Sequence, residues 1–146
     1  MKSKVYFSRQ ITAEKVLELY QLLGKELKGN VAIKVHSGEE GNQNFLRPAF
    51  WKPVVDHVGG TIVECNTAYE GARNTTERHI ALFKKHGWSD MYTVDLLDAQ
   101  GPDLVLDIPR ANGSRRILWA RIWQTTTASW CCPTLRDIPW AATAAR

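Results

Sequence analysis

Apolar positions follow two periods along the first two thirds of the chain. VYFS (5–8), VAIKVH (31–36), TIVECN (61–66) and YTVDLLD (92–98) are short β-prone runs of strand length, and VLDIP (105–109) is a shorter fifth. Between them the spacing turns helical. After Thr12, a suitable N-cap, Val16, Leu19, Tyr20, Leu23 and Leu27 fall on one helical face, and KGN breaks the pattern with Gly29 as its C′ residue. Pro48 suits the first turn of a helix running to about His57, which Gly59-Gly60 stops. Asn74 with Glu77 makes a capping-box-like start to ERHIALFKKHG, ended by Gly87. The resulting βαβαβαβ alternation predicts an α/β fold: a mostly parallel sheet with helices on its faces. Ligands of such sheets sit beyond the carboxyl ends of the strands. Two polar loops, 37–47 and 67–73, follow strands and are expected to open on that edge.

The 146 residues suffice for one domain, and 44% hydrophobic with 23% charged residues is a globular composition. No run approaches the roughly 20 apolar residues of a membrane span. The start, MKSKVYFSRQ, lacks the apolar core of a signal peptide. A soluble cytoplasmic protein with no membrane partner is therefore expected. The net charge of +4 raises the question of a nucleic-acid partner. Its distribution argues against one. Residues 1–109 carry 13 basic and 14 acidic side chains, whereas residues 110–146 carry six Arg and one Asp. The basic character belongs to the end of the chain, where no recognisable nucleic-acid module is written.

The chemistry-bearing residues concentrate in the two loops. In KVHSGEEGNQNFLRP (34–48), Lys34 and His36 alternate and so share a face. Gly38 and Gly41 permit tight turns, Glu39, Glu40, Asn42 and Asn44 offer oxygen ligands, and Arg47 offers a forked donor. The stretch matches neither a Walker loop nor a GxGxxG fingerprint. It reads as a binding loop for an anion or a metal, or as a polar surface loop whose glycines make turns. In ECNTAYEGARNTTERH (64–79), Cys65, Asn66, Thr67 and Tyr69 lie at a strand end. Arg73 could neutralise a phosphate or carboxylate next to the following helix N-terminus, itself an anion site. Ordinary helix capping by Asn74, Thr75 and Thr76 is the competing reading. Cys65 reads as a small buried residue more readily than as a nucleophile. His57 and His86 each precede a glycine at a helix end, where they suit the helix dipole. His36 and His79 are the better ligand candidates, because each adjoins a polar loop. Asp95 and Asp98, three apart on a strand, point to opposite faces and make a poor acid–base pair. Trp51 and Trp88 read as core or rim aromatics.

KVHSGEEGNQNFLRP and ECNTAYEGARNTTERHIALFKKHGW together resemble the domain-of-unknown-function family 362, over about residues 4–109. Its members are described as iron–sulfur-centre or ferredoxin-type proteins, and many add a module with four-cysteine cluster motifs. The resemblance implies the N-terminal part of a redox- or metal-linked protein whose reaction and electron-transfer partner are unknown. Its family-like positions are Lys34, His36, Gly38, Glu39, Gly41, Asn42, Asn66, Thr67, Tyr69, Arg73, Thr76 and His79, none with an established role. A 4Fe–4S cluster is implied only for full-length relatives. Cys65, Cys131 and Cys132 cannot imitate four-cysteine spacing, so no iron–sulfur ligand is expected in this chain.

The end of the chain departs from the family. WARIWQTTTASWCCPTLRDIPWAATAAR holds four of the six Trp and two of the three Cys, with no Lys or Glu. The family would continue with a strand and a segment like SHFKGHPMGGYGG. Back-translated with permitted codons and read two nucleotides out of register, Leu118–Ala145 accommodates MGKNLADYDSIVVLSHFKGHPMGGYGG. Parts of this are forced: Trp130-Cys131 gives Val, Cys131-Cys132 gives Leu, and both Trp-Ala pairs give Gly. The expectation is a frameshift near residues 110–118, a non-native tail over 118–146, and a sheet incomplete at its C-terminal side. The competing expectations for function are a redox- or metal-linked fragment, a small-anion binding module without catalysis, and an inactive truncated product.

Overall fold

The computed structural model describes residues 4–101, 104–107, 116–119 and 128–131. Helix α1 (Ala13–Leu22) starts as the sequence predicts, with the Thr12 side chain accepting from Lys15 N at 3.2 Å. It ends a turn and a half earlier than the apolar spacing suggests. Gly24, at φ 65°, turns the chain in the left-handed region, and Leu27 N instead donates to the Tyr20 hydroxyl at 3.0 Å. Strand β1 (Val31–Lys34) follows, then α2 (Pro48–Val58) with Pro48 in its first turn and Gly59 as a left-handed stop at φ 69°. Strand β2 (Thr61–Glu64) leads to α3 (Thr76–Lys85). The cap of α3 is Thr75, accepting from Arg78 N at 3.4 Å, one residue later than the capping-box reading; Asn74 instead binds the side chains of Glu70 and Arg78. A short α4 (Trp88–Met91) and β3 (Val94–Leu96) complete the alternating region.

The three strands pair in parallel in the order β3-β2-β1, the α/β arrangement expected. VYFS is not a strand. Val5 and Phe7 are 87% and 82% exposed, and the run pairs with none of the described strands. The fifth run becomes β4 (Leu104–Asp107), paired antiparallel with β5 (Arg116–Trp119) in a separate two-stranded sheet. A last strand, β6 (Ala128–Cys131), lies parallel to the free side of β1, with Ile33 opposite Trp130. Those four residues fall inside the stretch expected to be out of frame. Residues 120–127 and 132–146 of that tail, and 110–115 of the junction, lie outside the described residues.

The period of two along the strands sorts the core onto two faces. Val31, Ile33, Val35, Ile62 and Leu96 meet Trp51 and Val55 of α2, Phe83 of α3 and Trp88 of α4 in one cluster. Ala32, Val63 and Leu97 form a smaller cluster on the other face. Trp51 and Trp88 are core residues, as the sequence suggests. Burying the large side chains of this cluster is worth about 1.5–3 kcal/mol each. It fixes β1, β2 and α3 relative to one another, and so fixes the carboxyl edge of the sheet. Among the described residues no helix is long and apolar enough to cross a membrane.

Candidate functional site

β1 and β2 run parallel in register, with Lys34 opposite Val63, so both end at the same edge. There the chain leaves β1 into residues 35–47 and β2 into residues 65–75. Glu64, the last residue of β2, is the hub. Its Oε1 accepts from Lys34 Nζ and from Cys65 N at 3.3 Å. Its Oε2 accepts from Ser37 N at 3.0 Å and faces Arg73 Nη1 at 3.6 Å. A buried carboxylate survives away from water only with such partners. Lys34 also donates to the Val35 carbonyl at 2.8 Å.

The second cluster stands at the mouth of the edge. Arg73 is buried, its side chain 5% exposed, and its Nη2 donates to Glu39 Oε1 and, at 2.9 Å, to the Tyr69 hydroxyl. The Tyr69 hydroxyl donates in turn to the same Glu39 oxygen at 2.8 Å. Gly38 N donates to His36 Nδ1 at 3.0 Å, which leaves the neutral ring's proton on Nε2, 3.9 Å from Glu39 Oε1. The 3.4 Å approach of Arg73 Nη2 to His36 Nε2 therefore joins two donors aimed at one acceptor rather than a donor and an acceptor. Burial raises the Glu39 carboxyl, but hydrogen bonds from Arg73 and Tyr69 and the nearby positive charges outweigh it, and its pKa falls below the ordinary value. Burial opposes the charge on Arg73 too, and Glu39 and Glu64 more than restore it. Arg73 Nε is buried without a hydrogen-bond partner among the described residues.

Beneath this mouth lies a third group. Ser37 Oγ and His79 Nε2 are 3.1 Å apart, and His79 Nδ1 lies 3.2 Å from Asn66 Oδ1. With the ring proton on Nδ1, Asn66 accepts and His79 Nε2 accepts from Ser37. The order serine, histidine, amide matches a nucleophilic triad. Access does not: Ser37 and His79 are both 0% exposed, and the Ser37 N–H that might hold an oxyanion is already given to Glu64. The group is a buried tie between β1, β2 and α3. Burial is the main cause that pushes His79 down to about 4, so it stays neutral. Its ring also stacks on Phe83 at 4.7 Å. Asn66 extends the tie, its N–H reaching Asp98 at 2.9 Å and its amide reaching Thr76 at 3.2 Å; Thr76 donates on to the Ala99 carbonyl at 2.9 Å.

The candidate residues thus separate. His36, Glu39, Tyr69 and Arg73 converge at the mouth, with Lys34 behind them through Glu64. Asn66, Thr76 and His79 hold the layer beneath. Thr67 shapes its own loop, donating to the Tyr69 carbonyl at 3.2 Å and taking the Arg73 carbonyl on its N–H at 2.8 Å. Asn42 closes a local turn, its side chain accepting from Asn44 N at 2.8 Å, and does not join the network. Sequence reasoning missed Glu64 and Ser37. The only signal for Glu64 was a charged residue within the apolar run TIVEC.

His57 meets Tyr20 edge-on at 5.8 Å, and His86 stacks on Phe45 at 4.5 Å while its Nδ1 donates to the Ser37 carbonyl at 2.9 Å. Both histidines are structural. Gly38, at φ 94°, has no room for a side chain: a Cβ would fall 2.7 Å from Phe45 and 3.0 Å from His86. The root of the first loop is therefore clamped. Burial, with Asp98 next, raises the Cys65 thiol to about 11, so it is held protonated rather than as the thiolate that metals and electrophiles require. Among the described residues no group of three His, Cys, Asp or Glu is placed to hold a metal ion. At the mouth, a guanidinium already neutralises Glu39. Comparison of the chain with family models, with curated proteins and with solved structures gives no match.

Proposed function

We propose that the α/β region binds a small anionic molecule at the carboxyl edge of its sheet, between residues 36–47 and 66–75. The observation that carries this reading is Arg73. A guanidinium from the second loop is buried at the edge, its Nη2 meets the first loop, and its Nε has no hydrogen-bond partner among the described residues. An unmet buried donor costs about 1–3 kcal/mol, and a bound water, ion or ligand is one way that such a group is satisfied. The edge of a parallel sheet is also where ligands of this fold class sit. The donors are of three kinds, guanidinium, phenol and imidazole, which is the chemistry of an oxyanion site.

Titration of the chain with acetate and with inorganic phosphate, followed by amide NMR, tests the reading. Saturable shifts at residues 36–40 and 69–73 are expected. Arg73→Lys keeps the charge but loses the fork and should weaken them at least tenfold. Absence of saturable shifts with either anion in the wild-type chain would sink the proposal.

The resemblance to family 362 supports a different reading, an N-terminal fragment of an iron–sulfur- or ferredoxin-associated protein. What favours it here is the 3.9 Å pairing of His36 with Glu39, the nearest approach to a metal-ligand pair at the mouth. Metal content of the protein encoded by the repaired frame, compared with its His36→Ala variant, separates it from the anion reading. An unchanged metal content in that variant counts against it. A chain that melts without cooperativity would favour the third reading, a truncated product with no activity.

A further inference from the structure

The partners of Glu39 are those an anionic ligand would need. Arg73 Nη2 and the Tyr69 hydroxyl both donate to Glu39 Oε1, and the proton-bearing His36 Nε2 lies 3.9 Å from the same atom. Two donors from the second loop meet on one carboxylate oxygen supplied by the first, with an imidazole close by. We propose that Glu39 is a stand-in for the ligand: the site takes a small carboxylate, which displaces the Glu39 side chain from Arg73 and Tyr69. This rests on the anion-binding reading above and narrows it.

Charge selects the class. The ion-pair network around Arg73 joins two cations, Lys34 and Arg73, to two carboxylates, Glu39 and Glu64. Glu64 is bound to the Ser37 backbone and buried beneath the mouth, so it stays. When Glu39 leaves, one positive charge is uncompensated. A carboxylate monoanion restores neutrality, whereas a phosphate dianion would leave an excess negative charge beside the buried Glu64. The backbone is built for such a movement. Ser37 and Gly38 are clamped from below by Trp88, His86 and Phe45. Beyond the clamp, Glu39 opens a tight turn closed by Asn42 N on its carbonyl at 3.1 Å, with Gly41 at φ 74°. Among the described residues this turn is tied further by the local Asn42–Asn44 bond and by the exposed Glu40–Lys85 pair, 2.9 Å, which holds weakly. The root is fixed and the tip can turn.

The test combines affinity with loop exchange. In the wild-type chain, acetate and propionate should bind more tightly than inorganic phosphate. Amide hydrogen exchange over residues 39–42 should rise on saturation, because the turn loses its anchor. Glu39→Gln removes the competitor, and carboxylate affinity should increase about tenfold. Increased protection of residues 39–42 on binding overturns the displacement, and this measurement needs no variant to fold. Equal or weaker carboxylate binding by a folded Glu39→Gln chain overturns it as well, as does a preference for phosphate. In each of these cases Arg73-dependent binding would leave the broader anion reading standing. If neither the wild type nor Glu39→Gln binds any of the three anions, both readings fall.

Discussion

At the scale of single residues, His79 shows how burial turns an ionisable group into a structural one. It is enclosed on all sides, tied to Ser37 and Asn66, and stacked on Phe83. In the folded chain it accepts a proton only near pH 4, against 6.5 for an ordinary histidine. Between these values the unfolded chain binds a proton that the folded chain refuses, so stability falls as pH drops from about 6.5 towards 4 and is fully retained above. Urea midpoints at pH 7.5 and pH 5 should show the loss, and His79→Gln should flatten it. An identical decline in that variant would assign the effect to other groups. Glu39 contributes with the opposite assignment of charge and in a lower window: its depressed carboxyl favours the folded state until it is protonated, below its ordinary value of 4.5. Of these residues, His36, Glu39, Arg73 and His79 are legible in the sequence because they stand in polar, glycine-bearing stretches after strands. Glu64 and Ser37 are not. Their roles come from the register that sets β1 beside β2, a contact between positions some thirty residues apart.

At the scale of elements, α3 carries most of the positioning. Thr75 caps it, Thr76 and His79 face the edge, and Phe83 anchors it in the core. Thr75→Ala should cost about 1 kcal/mol in urea denaturation, while Thr75→Ser should cost a few tenths at most; equal losses would show that the hydroxyl does not act as a cap. Helices with strong terminal signals were legible: Thr12 and Pro48 start, and Gly59 stops, where the sequence indicates. The failures have physical causes. VYFS has strand propensity, but propensity makes no strand without cross-strand packing, and this run pairs with none of the described strands. The apolar spacing through Leu27 suggests a longer α1, but Gly24 breaks it and Leu27 reaches the core from an irregular segment.

At the scale of the molecule, β1 is the centre of the sheet, with β2 on one side and β6 on the other. Alternation of elements along the sequence predicts a parallel sheet and its loop-bearing edge, but not this order, because strand order depends on distant segments. The pairing of β6 with β1 also bears on the tail. The expected out-of-frame message places the apolar string IVVL over the same residues that β6 occupies. Ser129→Pro tests whether β6 protects β1 in solution. It removes a donor opposite Ala32, and hydrogen exchange of Val31–Lys34 should accelerate severalfold, with the β2–β3 pairing less affected. Unchanged exchange in β1 would mean that the strand is not held there in solution.

Trp88 gives the edge an optical gauge. Its indole is fully enclosed and donates to the Ser37 carbonyl at 3.1 Å, where the first loop leaves the clamp. The dipole of that carbonyl acts directly on the excited indole. Any shift of the loop's root changes both the colour and the lifetime of its emission. Replacing Trp51 and the four tail tryptophans with Phe would leave Trp88 as the sole tryptophan, excited selectively at wavelengths that tyrosine does not absorb. Ligand displacement of Glu39 that stops at the clamp would leave its spectrum still, whereas movement that reaches Ser37 would shift it, so one fluorophore measures how deep into the fold a binding event travels.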